Sequence, residues 1–217
     1  ETSEPSDPPT GPAVISTLAE YIEVGEADAA RLLSSLSESG SSSALREELE
    51  SRIESGSATL IETASVTTRS GQRAKSQSSS EWIYPTALAP PDVPKELRGP
   101  IEKGNELITP LTYTSFETRN IGTSLEIDPV ANANRLIVDL NVAPEIVSHV
   151  AENRYGQLES QVEIPIFGML KTQTAVTVKG NAPLLISVYM PIDKKNRKPN
   201  PDRRVFLFLS STALQVD

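Results

Sequence analysis

Val66 to Pro91 reads VTTRSGQRAKSQSSSEWIYPTALAPP, two extended runs on either side of Ser70-Gly71. Glycine tolerates the positive φ of a tight turn, so this stretch predicts a hairpin whose second run returns through Gln72 to Tyr84. Pro85, Pro90 and Pro91 lack the amide donor that a strand inside a sheet needs, and the return is expected to stop there. The return is also polar. RAKSQSSS offers almost nothing to a core, so this half of the hairpin either faces solvent on both sides or is covered by a partner.

Upstream of the turn, Leu60, Ala64 and Val66 recur at period two, the mark of a strand beginning near Ala58. Before it, Leu45, Leu49 and Ile53 share a helical face, Glu48 and Arg52 form an i,i+4 pair, and Gly56 suits a left-handed C-terminal position. Ser41 to Ser43 supply the N-cap. Ala29, Leu32, Leu33 and Leu36 give an earlier amphipathic stripe, with Glu26 and Asp28 near its positive end and a stop at Glu38-Ser39-Gly40. Val14 to Val24 is read as a strand with Val14, Leu18, Ile22 and Val24 on its apolar face, although Glu20 falls on that face too. Residues 1–13, polar and proline-rich, are expected to form a disordered or extended tail, and 14–217 a single domain.

Downstream, residues 85–112 are expected to form a long proline-rich loop of the kind that is commonly functional or mobile. Tyr113 to Asp128 is extended, with Ile121, Leu125 and Ile127 on one face and Gly122 as a bulge. Asn132-Ala133-Asn134 makes a turn, and Leu136, Val138, Leu140 and Val142 alternate beyond it, so two adjacent antiparallel strands follow. Pro144 to Gly168 reads as irregular. Lys171 to Val178 and Leu184 to Met190 are strands either side of a Lys179-Gly180-Asn181 turn, and Val205 to Leu209 (VFLFL) is a strand buried on both faces. The fold class that results is α+β, a mostly antiparallel twisted β-sheet with two N-terminal helices packed on one face.

The 217 residues include no cysteine, which excludes disulfides, thiolate metal sites and a cysteine nucleophile. A formal charge of −9 argues against broad nucleic-acid binding. No run approaches the ~18 apolar residues of a membrane helix, and no charged-then-apolar leader opens at Glu1. Any targeting segment is therefore expected to have been removed.

His149 is the single histidine, and catalysis by it would need an orienting acid and a nucleophile within reach; the plain reading is a surface side chain. Glu20 and Glu23, three apart on a strand, point to opposite faces and cannot flank one glycosidic bond. Glu117 and Arg119 share a face as a same-strand ion pair. No catalytic, cofactor-binding or metal-binding residue is assigned. Lys194, Lys195, Arg197, Lys198, Arg203 and Arg204 form a basic run in an acidic chain, either a solvated hairpin loop or a dock for an acidic partner or membrane surface. Trp82 and Tyr84 either plug the core or anchor a partner. Arg73, Lys75, Trp82, Tyr84, Lys194, Lys195, Arg197 and Lys198 are the candidate partner contacts.

Leu18–Val24 (LAEYIEV), Ser57–Ser76 (SATLIETASVTTRSGQRAKS), Glu81–Pro91 (EWIYPTALAPP), Ser115–Val130 (SFETRNIGTSLEIDPV) and Arg135–Ile146 (RLIVDLNVAPEI) resemble, in that order, the secretin homology domain. Thr68 to Ala74 is similar to that family's "T.SGQ.A" hairpin and Phe116 to Pro129 to its "FE.R..G..L...P" motif. Secretins form multimeric outer-membrane channels in type II and type III secretion systems and in type IV pilus machinery. Ile186 and Ser187 stand where the family's gate carries a glycine pair, and the loop Asp193 to Arg204 stands where its membrane lip would be.

The resemblance implies a non-enzymatic structural or accessory component of a bacterial secretion or pilus-type envelope assembly, periplasmic or outer-membrane-associated. It implies protein partners, either further copies of the chain or a full-length secretin, with peripheral membrane association and no cofactor. An oligomerising channel fragment of a longer protein is the alternative, and a hydrolase built on His149 the outlier.

Overall fold

The computed structural model describes residues 11, 13–89, 112–155 and 162–214. The expected tail over 1–13 lies almost wholly outside these residues, as does the loop over 85–112 beyond Ala89. The chain runs β1 (Val14–Gly25), α1 (Glu26–Ser39), α2 (Ser42–Glu54), β2 (Ala58–Arg69), β3 (Ala74–Ala89), β4 (Thr112–Ala131), β5 (Ile137–Tyr155), β6 (Val162–Lys171), β7 (Thr174–Lys179), β8 (Leu184–Tyr189) and β9 (Arg203–Leu214). It is α+β and antiparallel as expected, but the expected single sheet is two. Sheet A has the order β2-β1-β9-β8; sheet B has the order β3-β4-β5-β6, with β7 also on β5.

The division overturns the hairpin reading of Val66 to Pro91. β2 pairs with β1, whereas β3 pairs with β4, so Ser70-Gly71 is a corner between sheets. Its amides are satisfied by neither strand of a hairpin: Ser70 N–H donates to Ala13 O at 2.9 Å and Gly71 N–H to Pro129 O at 2.7 Å. Gly71 has φ 79°, the backbone that glycine alone adopts cheaply. Lys179-Gly180-Asn181 is a second such corner, because β7 belongs to sheet B and β8 to sheet A. There Gly180 N–H reaches Leu136 O and Asn181 N–H reaches Ser211 O.

Three layers follow from the side chains. Ile15, Ala19 and Tyr21 on β1 and Val205, Leu207 and Leu209 on β9 meet Leu125, Ile127, Val138, Leu140, Val142 and Val178 of sheet B. On the other face of sheet A, Ile22, Val24, Phe206 and Phe208 pack against Leu32, Leu45 and Leu49 of the helices. The VFLFL run is thus buried on both faces because β9 lies inside sheet A with a layer on either side. Burying each phenylalanine contributes roughly 1.5–3 kcal/mol. The same geometry corrects the reading of β1: its period-two face containing Ile22 and Val24 serves the helices, and the alternate residues Ile15, Ala19 and Tyr21 face sheet B.

Glu20 on the helix-facing side of β1 is explained by Arg46 of α2, whose Nη2 lies 2.8 Å and Nε 3.1 Å from its two carboxylate oxygens. Arg52 bridges the helices, reaching Glu48 at 2.9 Å and Asp28 at 2.8 Å. Both helix ends match the sequence: Gly40 is left-handed at φ 65°, and the Ser41 side chain accepts from Ala44 N–H at 3.2 Å.

Two prolines read as ending or interrupting regular structure, Pro85 and Pro144, lie inside strands. Pro85 lies in β3, an edge strand, where it pairs with Phe116 beside a register shift, and β3 runs on to Ala89. Pro144 lies inside β5, which pairs with β6, so the described part of the stretch read as irregular, Pro144 to Gly168, is a long antiparallel pair. Its carbonyl accepts from Thr172 N–H at 3.2 Å, on the side where β7 gives way to β6, so its missing donor falls at a gap in the ladder. Pro129 of β4 likewise lies two residues beyond Ile127, where pairing with the first residue of β3, Ala74, begins. Gly122 is likewise no bulge, since its pairings with Ser79 and Val147 are in register.

Candidate functional site

Sheet B forks. The β4–β5 ladder runs from Ala131 and Val138 to Gly122 and Val147 and stops there. β3 and β4 stay paired out to Ala89 and Thr112, and β5 and β6 out to Tyr155 and Val162. Beyond the fork the sheet is two hairpin arms, and side chains join them. Trp82 stacks on His149 with ring centroids 4.6 Å apart and planes at 10°; Tyr84 meets Phe167 at 5.5 Å, and Arg119 donates to Met169 Sδ at 3.6 Å.

Gly122 makes the fork. At φ 139° a Cβ there would stand 2.1 Å from Ser78 O of β3. Only a residue without Cβ lets β3 and β4 stay in register while β4 leaves β5. On β5, the register shift between His149 and Ala151 leaves Val150 as the extra residue.

The sequence-derived contacts fall into three separate places. Arg73 just precedes β3 and Lys75 is its second residue, both exposed, with Arg73 3.5 Å from Glu126 of β4. Trp82 and Tyr84 lie in the seam between the arms, where Trp82 remains 38% exposed and Tyr84 donates to Glu117 at 3.2 Å. Lys194, Lys195, Arg197 and Lys198 are exposed on the β8–β9 loop, with Arg197 hydrogen-bonded to Asn153 of β5. That loop is firmly built: Asp193 N–H donates to Lys198 O and Lys195 N–H to Asp193 Oδ1. Arg203 and Arg204 are structural, paired with Glu23 and Glu26.

His149 was not legible as a seam residue, because Trp82 is distant in sequence and no spacing rule links them. Its Nε2 is buried without a hydrogen-bond partner, 3.9 Å from Glu152 Oε1. Among the described residues no cluster of three His, Asp or Glu is placed to hold a metal. No described helix is long and apolar enough to cross a membrane, which leaves strands aside.

Large apolar side chains remain exposed on the arms: Ile83 at 65%, Phe116 at 57% and Tyr155 at 55%, with Leu88, Tyr113 and Ile164. β3 bounds sheet B on one side and β6 and β7 on the other, and β2 and β8 bound sheet A.

No protein-family model matches the chain. No curated protein matches it either. Among solved structures it is similar to the type II secretin GspD from enteropathogenic Escherichia coli, 13% identical with a TM-score of 0.48 over 95% of this chain and 71% of that one. It is also similar to the InvG secretin-domain β-barrel of the Salmonella SPI-1 injectisome, 10% identical with a TM-score of 0.47 over 96% of this chain and 64% of that one. A chain of the Klebsiella pneumoniae type II secretion outer-membrane complex of PulD, PulS and the PulC HR domain is 13% identical with a TM-score of 0.43, covering 95% of this chain and 40% of that one.

Proposed function

We propose that the chain is a non-enzymatic structural or accessory component of a bacterial secretion or pilus-type envelope assembly. It joins that assembly by pairing sheet edges with copies of itself or with a larger secretin. The observation that carries this reading is the edge of β3. From Ser76 to Ser80 it is an uncharged, proline-free run, the kind of edge that natural sheets normally guard with lysine, proline or a bulge. The opposite edge is shared by β6, which carries Glu163 and Pro165 and suits pairing less, and by the six-residue β7. The ordered sequence resemblance to secretins supports the same class of role.

The apolar side chains on the arms favour a second reading, an oligomerising channel fragment whose strands face lipid in a closed ring. Light scattering and electron microscopy of the purified chain, alone and with a full-length secretin, separate the two: rings of the chain alone support the channel fragment. Reversing charge at Arg73 and Lys75, beside the open edge, is expected to weaken assembly with little change in thermal stability. Equal loss of both would make this end of β3 part of the fold alone, and a chain that binds neither itself nor a secretin would refute the proposal.

A further inference from the structure

At the seam of the fork the β3–β4 and β5–β6 arms meet through side chains: Trp82 on His149, Tyr84 on Phe167 and Arg119 on Met169. Among the described residues no ladder pair joins β4 to β5 beyond Gly122 and Val147. We propose that this seam is also an interface between two copies of the chain. The β3–β4 arm of one copy docks on the β5–β6 arm of a second, which returns its own arm, so that each Trp82 stacks on the partner's His149. The inference concerns docking of the arms face to face and does not rest on pairing at the edge of β3.

Complementarity is already displayed within the chain. A ligand of the β5–β6 face needs a flat ring for His149, an inclined ring for Phe167 and a donor for Met169 Sδ, and the β3–β4 face supplies them at 4.6, 5.5 and 3.6 Å. A second copy carries the identical face. Exchange therefore replaces each seam contact by the same contact and breaks no ladder pair across the seam, which is the low-cost route to a dimer. The β3–β4 arm can move as a unit because its own pairing continues out to Ala89 and Thr112. Its turning point is Gly122, which has no Cβ to restrict a change of φ, opposite the small Ser78, Ser79 and Ser80 of an edge strand. No further strand lies beyond those serines to oppose the turn.

Closure within one chain leaves apolar surface in water, and this favours the exchanged form. Trp82 stays 38% and Met169 51% exposed at the seam itself. Ile83 and Phe116, which alternate with Trp82 and Tyr84 and so occupy the other face of the β3–β4 arm, are 65% and 57% exposed. Two copies that trade arms bring two such arms together and give that surface something to bury against. The β5–β6 arm is the fixed member, since Arg197 of the β8–β9 loop is hydrogen-bonded to its Asn153 and Ile192 of the same loop packs beside its Gly168. Opposing exchange is the tether: an arm attached to its own chain is present at an effective concentration on the order of millimolar. Exchange therefore grows with chain concentration.

The chain has no cysteine, so thiols can be placed one at a time. Arg119→Cys and Met169→Cys full-length chains, which keep both ring contacts, are mixed, unfolded and refolded together and treated with a short bis-maleimide; a tag on one chain identifies mixed dimers. Exchange predicts a mixed cross-linked dimer in excess of the homodimers that either variant gives alone. Its fraction should rise roughly tenfold for each tenfold rise in concentration while the dimer is the minor species. Arg119→Cys and Met169→Cys in the same chain should link within that chain at high dilution. Trp82→Ala or His149→Ala, added to both chains, should abolish the mixed dimer and leave the circular dichroism of the fold intact. Arg73→Glu with Lys75→Glu, beside the β3 edge, should leave it unchanged. A mixed dimer no more abundant than the homodimers, one that survives loss of either ring, or one that disappears with the two edge charges would each overturn the exchange.

Discussion

Replacing Gly122 by alanine tests the fork at its origin. Two costs are separable there. The φ of 139° is strained for any residue with a side chain, at about 1–3 kcal/mol. The added Cβ would also stand 2.1 Å from Ser78 O and 2.8 Å from Ser79 Cα, both backbone atoms of the paired strand. Ordinary contact begins at 3.4 Å, so the carbonyl must retreat by about 1.3 Å. A retreat of that size disrupts the local β3–β4 ladder bonds, at about 1 kcal/mol each. Gly122→Ala is therefore expected to cost about 3–5 kcal/mol, a large share of the roughly 5–15 kcal/mol that holds a domain together. Gly71→Ala is the control. It has φ 79° and nothing within 4 Å of the new Cβ, so it carries the backbone cost alone, about 1 kcal/mol. Urea denaturation with equal m-values gives both numbers from their midpoints. If Gly122→Ala loses no more than Gly71→Ala, the close β3–β4 approach is not what requires glycine, and the account of the fork fails.

Arg46→Leu leaves Glu20 only 14% exposed without its cation, and is expected to destabilise by about 2–3 kcal/mol in urea. The Glu20→Leu/Arg46→Leu double variant should lose less than the sum of the single ones, and strict additivity would show that the pair does not couple α2 to the sheet. Tyr21 has a buried hydroxyl without a hydrogen-bond partner, and burial, then the charges of Tyr189, Glu145 and Glu62, push its pKa well above the ordinary tyrosine value. The unfolded chain loses that proton near pH 10 and the folded one holds it, so stability falls as pH rises above about 10. Tyr21→Phe should raise stability at pH 7 by about 1 kcal/mol and move alkaline unfolding, followed by circular dichroism, to higher pH.

Sequence and structure agree where a local rule suffices. The spacing of Leu45, Leu49 and Ile53, the Ser41 cap and the Gly40 stop describe α2 and the end of α1 because helix bonds are local. The alternation of Val138, Leu140 and Val142 reads correctly because β5 buries one face there. Which strands pair is a different question. Gly71 and Gly180 look like hairpin turns since a hairpin and a corner between sheets demand the same positive φ or tight bend; the partner that satisfies the amides, Pro129 or Leu136, lies elsewhere in the chain. Pro144 misleads for a related reason. A proline is tolerated in a central strand only where the neighbouring ladder is already interrupted, and that gap is made by β6 and β7, which come later. The same holds for the candidate contacts: the exposed basic loop was legible from charge alone, whereas the seam joining Trp82 to His149 exists only because β4 leaves β5 at Gly122.

The position of β9 in sheet A has a bearing on how the chain is made. β1 emerges well before β9, the last of the described strands, yet the two lie side by side, joined by a hydrogen bond between the buried Thr17 and Ser211 hydroxyls. Until Arg203–Leu214 arrives, sheet A is split: β1 and β2 pair on one side, while β8 waits without its neighbour. The helices meanwhile have half their floor missing, since Phe206 and Phe208 supply it. Closure of so long a loop is slow compared with local helix formation, and apolar surface stays uncovered meanwhile. Until β9 is in place the apolar faces of α1 and α2 lack the Phe206 and Phe208 that cover them, so a chaperone that shields those faces would act before β9 and not after it.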